Sequence, residues 1–233
     1  MAYNFLSLVN DVNGRLNEVP LTSASFPAAV GFYKQAKDAV NAALNDIYQD
    51  AFEWPFTHTT ATLPLVVNQT RYSYPVDAKS INFDSFRIKG DDNMGVATTP
   101  LRQMDYEEYL SKFADADYNG FKYANIPKVI FRAPNFQFGV FPPARATWDL
   151  VYEYYRLPLE LELHGDVPAL PEQFRHLITD GATHYSYMFR GDPESAAVML
   201  EKFNAGLKNA RKIYQNRFEY LRSGYNPLNG KAM

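Results

Sequence analysis

Within the stretch PEQFRHLITDGATHYSYMFR, His176, Asp180 and His184 stand four residues apart, a spacing that stacks them as one ladder on a helix. Two imidazoles and a carboxylate can hold a metal or move a proton, and zinc or iron would need at least three such ligands. The surrounding residues do not support that chemistry. No H-E-x-x-H or E-x-x-H pattern accompanies the ladder, and the chain has no cysteine. The apolar residues of the same helix (Phe174, Leu177, Ile178, Gly181, Ala182, Tyr185, Met188 and Phe189) account for its folding without a ligand. The spacing therefore predicts a wet face: Asp180 in an ordinary local charge arrangement, with His176 and His184 facing solvent or a neighbouring subunit. No metal site, cofactor site or catalytic residue is expected.

Three other groups could do chemistry. In LELELHGD, Glu160, Glu162 and Asp166 offer paired acids of the kind glycosidases use, but they sit at a strand-to-linker junction. Toward the C-terminus Lys202, Lys208, Arg211, Lys212, Arg217 and Arg222 make a basic helix, with Lys208, Arg211 and Lys212 on one side. That face suits nucleic-acid backbone, an acidic protein partner, or solvent alone. In TWDLVYEYYR, alternation puts Trp148, Leu150, Tyr152 and Tyr154 on one face, and Asp149, Val151, Glu153 and Tyr155 on the other. Such a strand is half-buried first and a sugar-binding platform second. G-x-S-x-G, GxxxxGK[ST] and GxGxxG are all absent, which removes the usual hydrolase and phosphate-loop signatures.

These groups need elements to hold them. With 233 residues, 46% hydrophobic and 21% charged, the chain can bury a sizeable core. Seventeen Tyr and 17 Phe are a surplus that serves β-rich cores and broad interfaces equally. Lack of cysteine fits a protein made in a reducing cytoplasm. The N-terminus has no basic, apolar leader pattern, and no stretch is long enough to span a membrane. Asn68-Gln69-Thr70 matches a glycosylation sequon but reads as a turn. From Pro193 onward there are seven Lys/Arg against three Glu, while the rest of the chain is acidic. This split suggests a basic terminal element that meets an acidic surface or nucleic acid.

Phe5, Leu8, Val9, Val12 and Leu16 predict a first helix, weakened by Gly14. A second is expected from Pro27 to about Phe52, with Ala29, Tyr33, Ala36, Val40, Leu44 and Ile47 as its buried stripe. Short β-type runs follow from Thr57 to about Glu162, interrupted by a helix after Asp105 and by a loop at Gly90-Asp91-Asp92-Asn93. Two more helices come next. Gly191 ends the first, and Asp192-Pro193 starts the second, whose stripe is Ala196, Leu200, Phe203, Leu207, Ala210, Tyr214 and Leu221. The fold class is α+β. Residues 1–54 and 164–222 form a discontinuous bundle of about four helices, with a projecting, antiparallel, sandwich-like β insert at 55–163 and an extended tail at 223–233.

The order of these blocks resembles a known family. It runs FLSLVNDVNGRLNEV, then DAFEWPFTHTTATLPLV, NQTRYSYPVDAKSI and VYEYYRLPLEL, and ends on LPEQFRHLITDGATHYSYMFRGDPESAAVMLEKFNAGLKNARK. The pattern is similar to the head-to-tail adaptor proteins of tailed bacteriophages, the group that includes the tail tubular A proteins of short-tailed phages. Trp54 and Phe56 lead into the strands. Leu170-Pro171, Gly181-Ala182 and Arg190-Gly191-Asp192-Pro193-Glu194 form the most characteristic block. Tyr74-Pro75-Val76-Asp77 stands where the family tends to carry Y-x-L-P-x-D, and Pro75 directly after the tyrosine departs from that spacing.

The resemblance implies a non-enzymatic virion protein, assembled in the bacterial host cytoplasm and located in the neck. It implies a ring, typically of twelve subunits, between portal and tail nozzle, with double-stranded DNA passing through without sequence recognition. The bundle would form the ring wall and the β insert its outer or lower flange. Arg211, Arg217, Arg222, Tyr225 and Asn226 are the expected portal-side residues, placed there by location. The competing expectations are a carbohydrate-binding or receptor-binding tail module and, further off, a metal-dependent hydrolase.

Overall fold

The computed structural model describes residues 2–90 and 97–214. The fold is α+β, and the chain divides into two compact units. Of the described residues, one holds those up to Phe56 and those from Pro158 to Tyr214; the other holds those between Thr57 and Leu157.

The first unit is built from α1 (Phe5–Arg15), α2 (Phe32–Gln49), α5 (Arg175–Arg190) and α6 (Pro193–Tyr214). Helix α1 begins at a reciprocal cap, in which the Ser7 amide donates to Asn4 Oδ1 at 2.9 Å and the Asn4 amide to Ser7 Oγ at 3.2 Å. Its apolar stripe is buried as the periodicity requires: Phe5, Leu8, Val9, Val12 and Leu16 all enter the core. Helix α2 starts five residues later than its sequence suggests. Gly31 sits at φ 59°, outside the helical region, so Pro27 and Ala29 belong to the preceding turn. Ala36, Val40, Leu44 and Ile47 are buried, while Tyr33 is half-buried. The helix ends at Gln49, short of Phe52.

Helix α5 packs against α1, α2 and α6. It is therefore buried over the unbroken run Leu177–Thr183, and a single wet face cannot survive along it. Its expected stripe fails at the far end, where Met188 and Phe189 are exposed. Gly191 in the left-handed region closes the helix, and Asp192 Oδ1 then accepts the Ser195 amide at 3.1 Å to open α6. Ala196, Phe203, Leu207 and Ala210 of α6 face the core, but Leu200 is exposed. Residues 215–222, including Leu221, and the 223–233 tail lie outside the described residues, as does most of the loop after Gly90.

Among its described residues the second unit carries eight strands: β1 (His58–Pro64), β2 (Arg71–Ser73), β3 (Ala78–Ile88), β4 (Thr99–Pro100), β5 (Arg102–Met104), β6 (Val129–Ala133), β7 (Gln137–Phe141) and β8 (Asp149–Arg156). They form two four-stranded sheets, ordered β1-β8-β3-β4 and β2-β7-β6-β5. Pairing is antiparallel except between β5 and β6, which run parallel. The insert is thus mixed at that edge, because β5 and β6 are joined by a helical crossover that returns the chain to the same end. Both sheets feed one aromatic core, with the Phe138 ring 5.1 Å from Phe86 and 5.4 Å from Tyr152. The crossover contains α3 (Tyr106–Phe113) and α4 (Gly120–Tyr123). Asp105 precedes α3, although its side chain makes no capping hydrogen bond.

Candidate functional site

The ladder on α5 is taken apart by its neighbours. His176 is exposed. His184 is half-buried, with Nδ1 2.8 Å from the Ala196 carbonyl oxygen on α6. Asp180 does not lie on a wet face: it is 3% exposed, and Arg15 of α1 donates to its Oδ1 at 2.5 Å. The Lys202 ammonium approaches the same oxygen at 3.7 Å. Helical spacing does put the three residues on one face, but α1 and α6 close over the middle of it. Asp180 consequently serves as a charge anchor between helices. Among the described residues no cluster of three or more His, Asp or Glu side chains is arranged to hold a metal ion.

The other sequence candidates also turn out to be structural. Asp166 Oδ2 accepts the amides of Glu162 and Leu163, each at 2.8 Å, and these bonds hold its carboxyl below the usual aspartate pKa. The loop it shapes supplies the His164 and Asp166 carbonyls to the amides of Leu6 and Phe5 at the start of α1. Glu160 and Glu162 are exposed. On β8 the alternation holds as expected: Trp148, Leu150, Tyr152 and Tyr154 face the core. Tyr152 and Tyr154 therefore present no ring to a sugar. On the opposite face Tyr155 stacks on His58, whose Nε2 lies 3.2 Å from Glu153.

On α6, Lys202, Lys208 and Lys212 are exposed. Arg211 has a partner within the protein: its Nε and Nη2 meet Asp50 Oδ2 at 2.7 and 2.5 Å, which ties the end of α6 to the end of α2. Arg217, Arg222, Tyr225 and Asn226 lie outside the described residues. Among the described residues no helix is long and apolar enough to cross a membrane.

One polar centre escaped the sequence reading. Asp117 Oδ1 accepts Thr70 Oγ1 at 2.7 Å and the Tyr109 hydroxyl at 2.8 Å, and Oδ2 accepts Arg71 Nη2 at 2.5 Å. Burial pushes the Asp117 carboxyl up, but the bonds from Arg71, Thr70 and Tyr109, with the charge of Arg71, outweigh it and leave the pKa lowered. The Tyr109 hydroxyl is pushed well up, first by burial and then by that carboxylate. Thr70, Arg71, Tyr109 and Asp117 are spread over 48 residues of sequence, and no local spacing announces them.

What remains is a protein whose polar side chains mostly join its own elements, with exposed apolar and basic surface left over. The sequence model of the SU10 adaptor protein family matches residues 3–228. The chain belongs to that family. No curated protein matches it. SU10 adaptors are a phage head-tail adaptor family, so the chain is a bacteriophage structural protein of the virion neck, a position between portal and tail proteins. The resemblance drawn from Trp54-Phe56 and from the block around Arg190-Gly191-Asp192-Pro193-Glu194 leads to the same family type.

Proposed function

We propose that this adaptor forms a closed ring, typically of twelve subunits, between the portal and the tail nozzle, with its lumen passing double-stranded DNA. The single observation that carries the reading is the family match over nearly the whole chain. A ring of identical subunits needs two different surfaces on each copy. The surface apolar residues Met188, Phe189, Val198 and Ile213 on α5 and α6 favour the helical unit as the ring wall. The β unit then serves as the flange, and the protein acts without catalysis, cofactor or metal. Assembly takes place in the host cytoplasm.

On this reading the basic end of the chain meets the portal through Arg211, Arg217, Arg222, Tyr225 and Asn226. Because Arg211 already binds Asp50, its portal contact would share or exchange that partner. Residues 223–233, which lie outside the described residues, are proposed as the part of the chain that the portal recognises. The test is native mass spectrometry of the purified protein, alone and mixed with portal rings. Formation of a high-order ring, alone or on the portal, is expected. A monomer under both conditions would refute the proposal. Deleting 223–233 should abolish portal attachment with folding unchanged; normal attachment by that truncation would remove the tail from the scheme.

A further inference from the structure

Beside β2, the loop before Arg71 and the turn that carries Asp117 come together around an open cleft. It is lined by Asn68, Gln69, Thr70, Arg71, Asp117 and Tyr118. Gly120 permits the approach, since a side chain there would overlap the Asn68 carbonyl oxygen. The floor is the Asp117 centre described above. Its carboxylate is held by three donors, and its charge is matched by Arg71. The floor is therefore rigid and electrically neutral.

The walls are different, because they retain unused hydrogen-bonding capacity. Gln69 Nε2 donates to the Arg71 carbonyl at 2.7 Å, which leaves Oε1 to accept. Among the described residues Arg71 commits only Nη2, to Asp117 and the Tyr106 hydroxyl, so Nε and Nη1 still carry donors. The Asn68 backbone amide is taken by the Ala144 carbonyl at 2.8 Å, but its side-chain carboxamide and the Tyr118 hydroxyl make no hydrogen bond among the described residues. Tyr118 lines the cleft and is 87% exposed as a residue.

We propose that this cleft binds a neutral saccharide. Sugar hydroxyls both donate and accept, which matches a wall of two amides and a guanidinium edge around a charge-balanced floor. The C–H face of a pyranose would stack on Tyr118, whose π face carries the negative part of the ring quadrupole. A free anion is a poorer fit, because Arg71 is already neutralised by Asp117 and the carboxylate would repel it. An apolar ligand is also a poorer fit, since no aliphatic side chain lines the cleft and its polar groups would lose water without replacement. The preset guanidinium and backbone reduce the ordering cost of binding.

The experiment begins with the full-length protein on an array of neutral and acidic bacterial oligosaccharides. The best neutral binder is then measured by saturation-transfer NMR against Tyr118→Ala and Gln69→Ala. Both positions are exposed and outside the Asp117 centre, so the fold stays intact. Retention of a neutral oligosaccharide, weakened about tenfold or more by Tyr118→Ala, is expected. Three results would overturn the assignment: no neutral glycan retained, acidic glycans retained alone, or neutral binding indifferent to both substitutions. If Tyr118→Ala instead blocks ring or portal assembly and no glycan binds, the cleft is a protein contact. Ring formation itself is read separately by native mass, so failure here leaves that proposal standing.

Discussion

Arg15 near the end of α1 and Asp180 in the middle of α5 form an ion pair between positions 165 residues apart, and Arg15 also donates to Thr179 at 3.0 Å. The pair is one of three that bind α1 and the turn after it to later parts of the chain. Arg175 meets Asp11 at 2.6 Å, and Arg190 meets Glu18 at 2.5 Å. Because Asp180 is buried and Arg15 about one-third exposed, the carboxylate depends on its partner more than the reverse. Arg15→Ala should cost about 2–3 kcal/mol by urea unfolding, below the full penalty for an isolated buried charge because Lys202 stands near. His176→Ala should stay within about 0.5 kcal/mol. Equal effects of the two substitutions would contradict the anchor role of Asp180.

Gly139 on β7 faces Phe131 on β6, and the ring fills the space a side chain at 139 would occupy. Phe131 then stacks on Tyr109 of α3 with ring centroids 3.9 Å apart. Gly139→Ala should destabilise the β unit by about 1–3 kcal/mol. Adding Phe131→Leu should recover part of that loss, since the two positions share one space. Thermal unfolding of both single variants and the double variant measures the coupling, and strict additivity would rule out the shared space.

Several tyrosines make the fold sensitive to alkali. Burial pushes Tyr152 up to about 12, and Tyr185 is pushed up to about 12, first by its hydrogen bond to Asp46 and then by burial. An unfolded tyrosine ionises near pH 10, so these groups stabilise the native state fully below that value. Their contribution falls as pH rises from about 10 toward 12. Tyrosinate absorbance followed alongside circular dichroism should show delayed ionisation and then cooperative unfolding in that window. Smooth titration near pH 10 with the fold retained would argue against it.

Acid should act through Asp117. Its folded pKa is lowered, so its stabilisation is complete above the unfolded aspartate value of about 3.9 and is lost as pH falls through the folded value. Near-ultraviolet circular dichroism, which reads the Tyr109–Phe131 stack, should weaken on the acid side of that range. Asp117→Asn should flatten the dependence. An unchanged acid profile in that variant would assign the effect to other carboxylates.

Arg211→Ala separates stability from assembly. Its guanidinium is partly exposed while Asp50 is largely buried, so the loss should be about 1 kcal/mol. Portal attachment measured on the folded variant tests the proposed contact. Lys208→Ala, exposed on the same helix, serves as the control for charge alone.

Much of this was legible in the residues themselves. Periodicity located α1, α5 and α6, and alternation in TWDLVYEYYR placed Trp148, Leu150, Tyr152 and Tyr154 inward. Gly191 and Asp192 marked the joint between the last two helices by local backbone rules. The order of blocks was enough to suggest a phage adaptor. These features depend on chain-local physics: hydrophobic spacing, capping and the φ range open to glycine.

Only the tertiary structure decided what the polar residues do. Asp180 became a buried anchor because α1 and α6 close over it, Arg211 was taken by Asp50, and Asp117 gathered Thr70 and Arg71 from a distant segment together with the nearby Tyr109. A side chain's sequence neighbours fix which helix face it occupies. Whether that face meets water or another element depends on long-range packing, and the energy of a charge depends on that difference.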